Sequence, residues 1–330
     1  MPPRTLNYGA RHPNLQGCAR GRDSRLALDS SEHLRGPVNA ARRIATSSLD
    51  IPPDLPRQVA AALQEDVGTG DATARLVPES QLVRGEVVSR EAAVICGAPW
   101  VEETFRQLDP RVSLEWRIPE GGQVEPEQIV FRIAGPARAI LTGERTALNF
   151  LQLLSGTATA ARRFADAVAG TGCTVIDTRK TVPGLRTAQK YAVRCGGARN
   201  HRMGLFDLIL VKENHITAAG SITAAVAAAR RSGGGLAIEV EVESLAELEE
   251  ALAARADIVL LDDFTLEDMR TAVARVRARG ATAKLEASGS ASLETVRAIA
   301  ETGVDFVSVG ALTKHARAID LSMRLELAGR

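Results

Sequence analysis

The sequence is poor in aromatic residues and has no long apolar run. Aromatic side chains make up only 3% of the 330 residues, so an aromatic stacking surface for single-stranded nucleic acid is not indicated. No stretch approaches the roughly 20 apolar residues that a membrane-spanning helix needs. The 41 Lys and Arg residues are balanced by 40 Asp and Glu residues, which argues against a polyanionic macromolecular partner. We therefore predict that the protein binds neither nucleic acid nor membrane.

Cysteine is also scarce. The four cysteines, Cys18, Cys96, Cys173 and Cys195, are far apart, and no two of them stand in CxxC spacing. This distribution argues against a disulfide scaffold and against a cysteine-based zinc site. We therefore expect a reducing compartment and predict a cytoplasmic location.

Residues 1–50 differ from the rest of the chain. This segment contains eight Arg against four acidic residues, few large apolar residues and no sustained periodicity. Such a composition buries too little apolar surface to order the chain, so we predict a basic, disordered tail. Its acidic residues argue against an organelle transit peptide, and it lacks the apolar core of a secretory signal.

Residues 51–148 have the pattern of a small α+β domain. Helices are predicted at 54–63 and 100–108. The alternation of apolar and polar residues predicts half-buried strands at 84–89, 112–117 and 129–133. A longer helix is predicted to start at Thr142, because threonine is a favourable N-cap residue.

Residues 149–315 alternate short apolar runs with capped helices, which is the pattern of βα units. The six predicted strands are 174–177, 205–211, 236–242, 258–261, 283–287 and 306–309. Right-handed crossovers between them give a parallel sheet. No Gly-rich dinucleotide turn follows the first strand, so we predict an α/β barrel of six strands, short of the usual eight. Residues 316–330 are predicted to form a C-terminal helix that returns to the N-terminal domain.

In an α/β barrel the active site lies at the carboxyl ends of the strands, and this sequence is unusually polar there. Several Lys and Arg side chains at one mouth predict a polyanionic substrate, because they pair with carboxylate and phosphate groups. Glu241 and Asp262 suit Mg²⁺ or the hydroxyls of a sugar. The glycine-containing ends of the last two strands suit a phosphate. The candidate residues at this mouth are Thr178, Arg179, Lys180, His201, Arg202, Lys212, Glu241, Asp262, Ser288, Gly289, Ser290, Gly310, Ala311 and Leu312.

The residues by themselves leave alternatives open. Glu239 and Glu243 alternate with Glu241 along one strand, and any one of the three could be purely structural. A lone histidine such as His201 more often makes a structural hydrogen bond than takes part in catalysis. A lysine at a barrel strand end, such as Lys180, could form a Schiff base, so an aldolase is a competing hypothesis. A binding protein without turnover is a third.

Five sequence motifs occur in an order that resembles the quinolinate phosphoribosyltransferase family. They are GERTALN at 143–149, DTRKT at 177–181, NHRMGL at 200–205, KENH at 212–215 and SVGALT at 308–313. The resemblance extends from about residue 55 to the C-terminus and therefore covers both predicted domains. It implies an N-terminal α/β sandwich followed by an open, incomplete α/β barrel.

The resemblance also implies a reaction. The family transfers phosphoribose from phosphoribosyl pyrophosphate (PRPP) to the nitrogen of quinolinate, releasing pyrophosphate and CO₂ and giving nicotinate mononucleotide for NAD synthesis. Mg²⁺ accompanies PRPP, and no organic cofactor is expected. The family forms homodimers with shared active sites, so Arg145 is expected to enter the partner's site, and a higher oligomer is compatible with this. A related phosphoribosyltransferase that does not decarboxylate its base is the nearest alternative.

The resemblance assigns roles residue by residue. Lys180, Glu241 and Asp262 are the expected catalytic residues, and the two acids are expected to hold Mg²⁺ directly or through water. Two departures from the family pattern occur, at Lys314 and at Ser290. Lys314 is therefore given no catalytic role. The expected quinolinate ligands are Arg145, Thr178, Arg179, His201, Arg202 and Lys212, and the expected phosphate ligands are Lys180, Ser288, Gly289, Ser290, Gly310, Ala311 and Leu312.

Overall fold

A computed structural model describes residues 49–327. All but the last two residues of the predicted tail lie outside this range. The described residues belong to one compact unit. None of the helices in this part of the chain combines the length and the hydrophobicity that a membrane span requires.

The N-terminal part is an antiparallel sheet with helices packed on one face. The sheet order is β12 (Leu321–Leu327), β1 (Leu82–Ser89), β5 (Ile129–Pro136), β3 (Ser113–Trp116), and β2 (Ala93–Val94) pairs separately with β4 (Gln123–Val124). Val87 and Phe131 point from the sheet into a core that contains Val101 and Phe105 from the second helix. The elements are α1 (Leu55–Val67), a 3₁₀ turn (Ala74–Leu76), β1 (Leu82–Ser89), β2 (Ala93–Val94), α2 (Ala98–Leu108), β3 (Ser113–Trp116), β4 (Gln123–Val124), β5 (Ile129–Pro136) and, from the end of the chain, β12 (Leu321–Leu327).

The prediction of a C-terminal helix is wrong, because Leu321–Leu327 is a strand. It returns to the N-terminal sheet and pairs antiparallel with β1, with Leu325 opposite Gly85. Leu321, Met323 and Leu325 alternate with polar residues and pack against the sheet core, which requires the two-residue period of a strand. The pairing also gives hydrogen-bond partners to the edge of β1 that β5 leaves open.

A long helix, α3 (Ala137–Ala167), joins the two halves of the molecule. The prediction of Thr142 as its N-cap is wrong, because the helix begins five residues earlier, where Ala137 and Ile140 are buried. The Thr142 hydroxyl instead donates a hydrogen bond of 2.8 Å to Asp71. The predicted domain boundary between residues 148 and 149 falls inside this helix.

The remaining strands form one parallel sheet in the order β6, β11, β10, β9, β8, β7. The first and last strands of this series are not paired with each other, so the six-stranded barrel is open, as predicted. The strand predicted at 205–211 is shorter, because only its last three residues pair. The elements are β6 (Thr174–Ile176), α4 (Arg186–Cys195), β7 (Ile209–Val211), α5 (Glu213–Ala219), α6 (Ile222–Ser232), β8 (Ile238–Val242), α7 (Leu245–Ala253), β9 (Ile258–Asp262), α8 (Leu266–Ala278), β10 (Lys284–Ser288), α9 (Val296–Ala300), β11 (Phe306–Ser308) and α10 (Ala311–Lys314).

The strands of the barrel present alternate side chains to two environments. On β8, Val240 and Val242 face outward into the core between sheet and helices, which also contains Leu248 from α7. Glu239 and Glu241 therefore face the barrel interior, since side chains two residues apart lie on the same face of a strand. Helices α7 and α8 begin at N-cap residues, since the hydroxyls of Ser244 and Thr265 accept hydrogen bonds from the backbone N–H groups three residues later.

Candidate active site

A cavity of about 340 Å³ opens at the carboxyl ends of the barrel strands. Eight of the fifteen predicted site residues line it, and four further side chains complete its wall. The lining residues are Thr178, Arg179, Lys180, His201, Arg202, Leu210, Lys212, Glu241, Leu260, Glu286, Ser288 and Ser308. The cavity therefore collects residues from β7 to β11 and from the segments after β6 and α4.

The segment after β6 is held by a buried hydrogen-bond network. The Thr313 hydroxyl donates to the carbonyl of Lys180 at 2.8 Å. The Gln189 side chain donates to the carbonyl of Thr313 at 2.9 Å and accepts from the backbone N–H of Val182 at 2.8 Å. Gln189 and Thr313 are fully buried. Helices α4 and α10 thus fix the backbone that carries Arg179 and Lys180 into the cavity.

A buried ion pair lies directly beneath this segment. The Lys190 Nζ is 2.5 Å from an Asp177 carboxylate oxygen, and both side chains are fully buried. Asp177 also accepts hydrogen bonds from the Asn200 side chain at 2.6 Å and from the backbone N–H of His201 at 2.9 Å. Burial raises the pKa of Asp177 and lowers the pKa of Lys190. The pair ties β6, α4 and the segment of His201 together.

The cavity wall has an excess of cationic donors. Burial and the neighbouring charge of Arg179 lower the pKa of Arg202. The Nε of Arg179 is buried and has no hydrogen-bond partner among residues 49–327. Two close guanidinium groups with an unused donor have the chemistry to bind an anion, because guanidinium pairs with carboxylate or phosphate.

Lys212 and Glu241 form a second ion pair at the cavity wall. The Lys212 Nζ lies 2.5 Å from a Glu241 oxygen, and the side chains are 43% and 13% exposed. Burial raises the pKa of Glu241, and the charge of Lys212 opposes this effect. A ligand that binds Lys212 or Glu241 must therefore compete with this ion pair.

Three titratable groups, those of His201, Glu239 and Glu286, meet in the buried part of the site. Nε2 of His201 lies 2.8 Å from Glu239 and 3.4 Å from Glu286. Burial alone would lower the pKa of His201, but the two carboxylates raise it well above its usual value. Burial and the charge of Glu286 raise the pKa of Glu239 to about 7.

The predicted phosphate ligands lie on two sides of the loop after β10. Ser288 lines both this cavity and a neighbouring cavity of about 410 Å³, whereas Gly289 and Ser290 line only the neighbouring one. Gly289 has φ +136°, and a Cβ there would lie 2.5 Å from an oxygen of Asp263, so this position requires glycine.

The segment after β11 contributes mainly backbone. A Cβ on Gly310 would lie 3.1 Å from the Lys180 side chain, so the absence of a side chain leaves room for that lysine. The Leu312 side chain is fully buried in the barrel core. Ala311 begins the four-residue helix α10. Only the backbone of Leu312 can therefore face a phosphate.

Two other predicted residues lie outside the cavity wall. Arg145 is exposed on α3. Asp262 ends β9, and its charge acts on the neighbouring carboxyl of Glu241 to raise that pKa, so the two acids are close together. The structure thus groups Asp262 with the cavity residues and leaves Arg145 apart from them.

Sequence reasoning missed the contributions of Glu286, Ser308 and the Asp177–Lys190 pair. Glu286 had a signal, because it precedes Ser288 by two residues on one strand and so shares its face. Lys190 had none, since a lysine in an amphipathic helix is normally solvated and its burial depends on a tertiary partner.

Comparisons with known sequences assign the chain to a family. The model of the quinolinate phosphoribosyl transferase N-terminal domain matches residues 71–155, and the model of the C-terminal domain matches residues 157–324. A probable carboxylating nicotinate-nucleotide pyrophosphorylase of Synechocystis is 42% identical over 264 residues, which are 80% of this chain and 90% of that relative. The carboxylating enzyme of the same name from Mycobacterium leprae is 41% identical over 271 residues, covering 80% of this chain and 94% of that relative.

A solved structure supports the same assignment. The nicotinate-nucleotide pyrophosphorylase of Francisella tularensis superposes with a TM-score of 0.81 at 45% sequence identity. The superposition covers 85% of this chain and 100% of the other. Both the sheet domain and the open barrel are therefore features of a known architecture.

Proposed function

The chain belongs to the quinolinate phosphoribosyltransferase family, and from this premise we propose that it converts quinolinate and PRPP into nicotinate mononucleotide, CO₂ and pyrophosphate. This is the carboxylating nicotinate-nucleotide pyrophosphorylase reaction of NAD biosynthesis, a pentosyl transfer. The observation that carries the proposal is the cationic cavity at the barrel mouth, where Arg179, Lys180, Arg202 and Lys212 converge.

Quinolinate suits this cavity because it has two adjacent carboxylates. Arg179 and Arg202 supply close guanidinium groups, and the unused Nε of Arg179 is a donor without a competing partner in the described part of the chain. His201, Lys212 and Thr178 add further donors on the same wall. Two carboxylates held in this way fix the ring plane and so direct its nitrogen toward the sugar.

PRPP is assigned to the remaining part of the mouth. Lys180 is exposed beside Gly310, where its charge can stabilise the leaving pyrophosphate. The 5′-phosphate is assigned to Ser288–Ser290 and to the backbone of Gly310–Leu312. The positive φ of Gly289 supports this, because backbone N–H groups approach a phosphate closely only where no side chain intervenes.

Glu241 and Asp262 are proposed to hold Mg²⁺. They fit this role because they provide carboxylate oxygens from neighbouring strands, and Mg²⁺ is held by one or two carboxylates together with substrate phosphates. When bound, Mg²⁺ offsets the charge of the pyrophosphate group. The Lys212 Nζ lies 2.5 Å from a Glu241 oxygen and stabilises the ionised form of this carboxylate.

The reaction follows from the charge distribution. The quinolinate nitrogen forms a bond to C1′ of the ribose while the C1′–O bond to pyrophosphate breaks, and pyrophosphate leaves with the electron pair. The ring nitrogen becomes cationic. The C2–carboxylate bond then breaks, the ring accepts its electron pair, CO₂ departs and a proton takes its place. The ring itself is the electron sink, so no organic cofactor is required.

We propose a homodimer in which Arg145 completes the partner's site. Its exposure on α3, away from the cavity of its own subunit, supports this. A composite site of this kind makes the dimer the smallest active unit, and larger assemblies of dimers are compatible with it.

The cytoplasmic location also stays a prediction. It rests on the cysteine spacing, and the free, buried state of Cys96, Cys173 and Cys195 within residues 49–327 supports it. The binding of nucleic acid or of a membrane is not part of the proposal, and small-molecule substrates account for the cavity.

The test is an assay with quinolinate, PRPP and Mg²⁺ that follows nicotinate mononucleotide and labelled CO₂ together. Equal amounts of both products are expected. Formation of the nucleotide from nicotinate without CO₂ would instead identify a non-decarboxylating transferase. The absence of both products would remove the proposal.

A further inference from the structure

Three buried side chains from three different elements meet beside the substrate cavity. Glu239 lies on β8, Glu286 lies on β10, and His201 follows α4. The imidazole Nε2 lies 2.8 Å from a Glu239 oxygen and 3.4 Å from a Glu286 oxygen. The residues are only 9%, 0% and 1% exposed for His201, Glu239 and Glu286. The ring is therefore held from its inner side by two carboxylates.

This geometry gives the two ring nitrogens different tasks. Nε2 faces the carboxylates, so Nδ1 is the nitrogen left for a ligand in the cavity that His201 lines. With a proton on Nε2, a neutral ring presents a lone pair at Nδ1, which repels a substrate carboxylate. Only the doubly protonated ring donates from both nitrogens.

We propose that Glu239 and Glu286 are positioning residues that keep the His201 ring doubly protonated and direct its Nδ1–H to a carboxylate of quinolinate. This inference rests on the proposed function, because it names quinolinate as the acceptor. His201 touches the substrate, and the two acids act through it.

The surrounding charges support this assignment. Glu239 Oε1 and Glu286 Oε2 are buried and accept no hydrogen bond within residues 49–327. In this part of the chain, His201 is the only basic side chain in ion-pair contact with either acid. The Asp177–Lys190 pair, which lies beside the His201 backbone, is internally neutral. Arg179 and Arg202 line the same cavity as His201. Burial lowers the pKa of His201, but the charges of Glu239 and Glu286 outweigh it and raise that pKa well above its usual value.

The matched variants are Glu239→Gln and Glu286→Gln, with Glu243→Gln as the control. Glutamine keeps the size of each side chain and removes its charge. Glu243 follows β8, is exposed, and lines no part of the cavity. The Michaelis constants for quinolinate and for PRPP are measured separately with the full chain, at about pH 7.5 and about pH 6, on either side of the ordinary histidine pKa.

We expect each variant to raise the quinolinate KM at least about tenfold at the higher pH and to change the PRPP KM less than about twofold. Removing an acid lowers the pKa of His201, so the ring loses a proton at the higher pH and regains it at the lower pH. The defect in quinolinate KM should therefore shrink on acidification, and Glu243→Gln should behave as the unmodified protein. Equal defects for both substrates, or a defect independent of pH, would show a merely structural role and overturn the inference.

A second measurement does not depend on activity. Proton–nitrogen NMR of the histidine rings reports which nitrogens are protonated, and His201→Asn identifies the His201 signals among the five histidines. We expect both nitrogens of His201 to be protonated at about pH 7.5 in the protein without substrate. A singly protonated ring there, or a ring that carries a metal ion, would contradict the inference. Doubly protonated His201 in a protein that forms no nicotinate mononucleotide would instead count against the proposed function alone.

Discussion

Charged side chains in the cavity act as pairs and groups, and the effect of removing one depends on its neighbours. Burial and the charge of Arg179 lower the pKa of Arg202, and a bound anion would offset this repulsion. Lys212 already has a carboxylate partner in Glu241. We therefore expect the two arginines to depend on the substrate for a counter-charge more than Lys212 does.

Replacing Arg202 with alanine should weaken quinolinate binding more than PRPP binding. We expect the quinolinate KM to rise and kcat/KM to fall by at least about tenfold, or about 1.4 kcal/mol of transition-state stabilisation. Steady-state kinetics with one substrate varied at a time checks this. Arg57→Ala, at a residue whose side chain is 83% exposed on α1, is the control. Unchanged kinetics in the Arg202 variant would remove it from the quinolinate site.

At the scale of elements, the terminal strand β12 is the clearest case of a segment fixed by close contact. A Cβ on Gly85 would lie 2.7 Å from the backbone oxygen of Arg324 and 2.5 Å from the Leu325 side chain. The leucine can rotate away, but the paired backbone cannot. Gly85 therefore allows the close pairing of β1 with β12.

Gly85→Ala should destabilise the sheet by about 1–3 kcal/mol, the usual cost of overpacking. Urea unfolding measures the change, and Arg84→Ala, an exposed neighbour on the same strand, serves as the control. An unfolding midpoint equal to that of the unmodified protein would mean that β12 can move away from β1 without loss of stability, which would contradict this prediction.

Local periodicity predicted most of these elements, and its failures have physical causes. The strands β1, β3 and β5 alternate apolar and polar residues and were predicted within a few residues. The alternation of Leu321, Met323 and Leu325 also favours a strand, so the helix prediction there was avoidable. The error at the start of α3 was not avoidable. The first turn, which contains Ala137, is stabilised by burial against the sheet and not by an N-cap side chain, so the sequence carries no cap signal there.

The site residues that were predicted lie at strand ends, whereas those that were missed lie behind them on a helix. Residues such as Arg179 and Lys212 were predicted to share a cavity because strand ends of a barrel meet at one mouth. The residues behind them, Lys190 and Gln189, lie on α4 and contact the site only through tertiary packing. No spacing in the sequence reports such a contact.

At the scale of the whole molecule, the central prediction is that two subunits share each site. If Arg145 acts in the partner's cavity, Arg145→Ala and Arg179→Ala remove different halves of the same site. Mixing the two inactive proteins should then restore about a quarter of the original activity, because half of the dimers are hybrids and each hybrid has one intact site.

Activity after mixing measures this directly, and subunit exchange is verified with differently tagged proteins. Each variant alone, carried through the same exchange procedure, is the control. Exchange without any recovery of activity would show that each subunit contains a complete site.

The boundary between the two family domains falls inside helix α3, which contributes residues to the cores of both domains. The two family models meet between residues 155 and 157, in the middle of a helix that runs from Ala137 to Ala167. Leu148 and Leu151 belong to the core of the sheet domain, whereas Ala161 and Phe164 belong to the core of the barrel. A chain divided between residues 155 and 157 would leave each fragment with about half of α3 and with part of its hydrophobic core exposed to water. We therefore expect the two domains to unfold as a single cooperative unit and expect neither to fold once separated from the other.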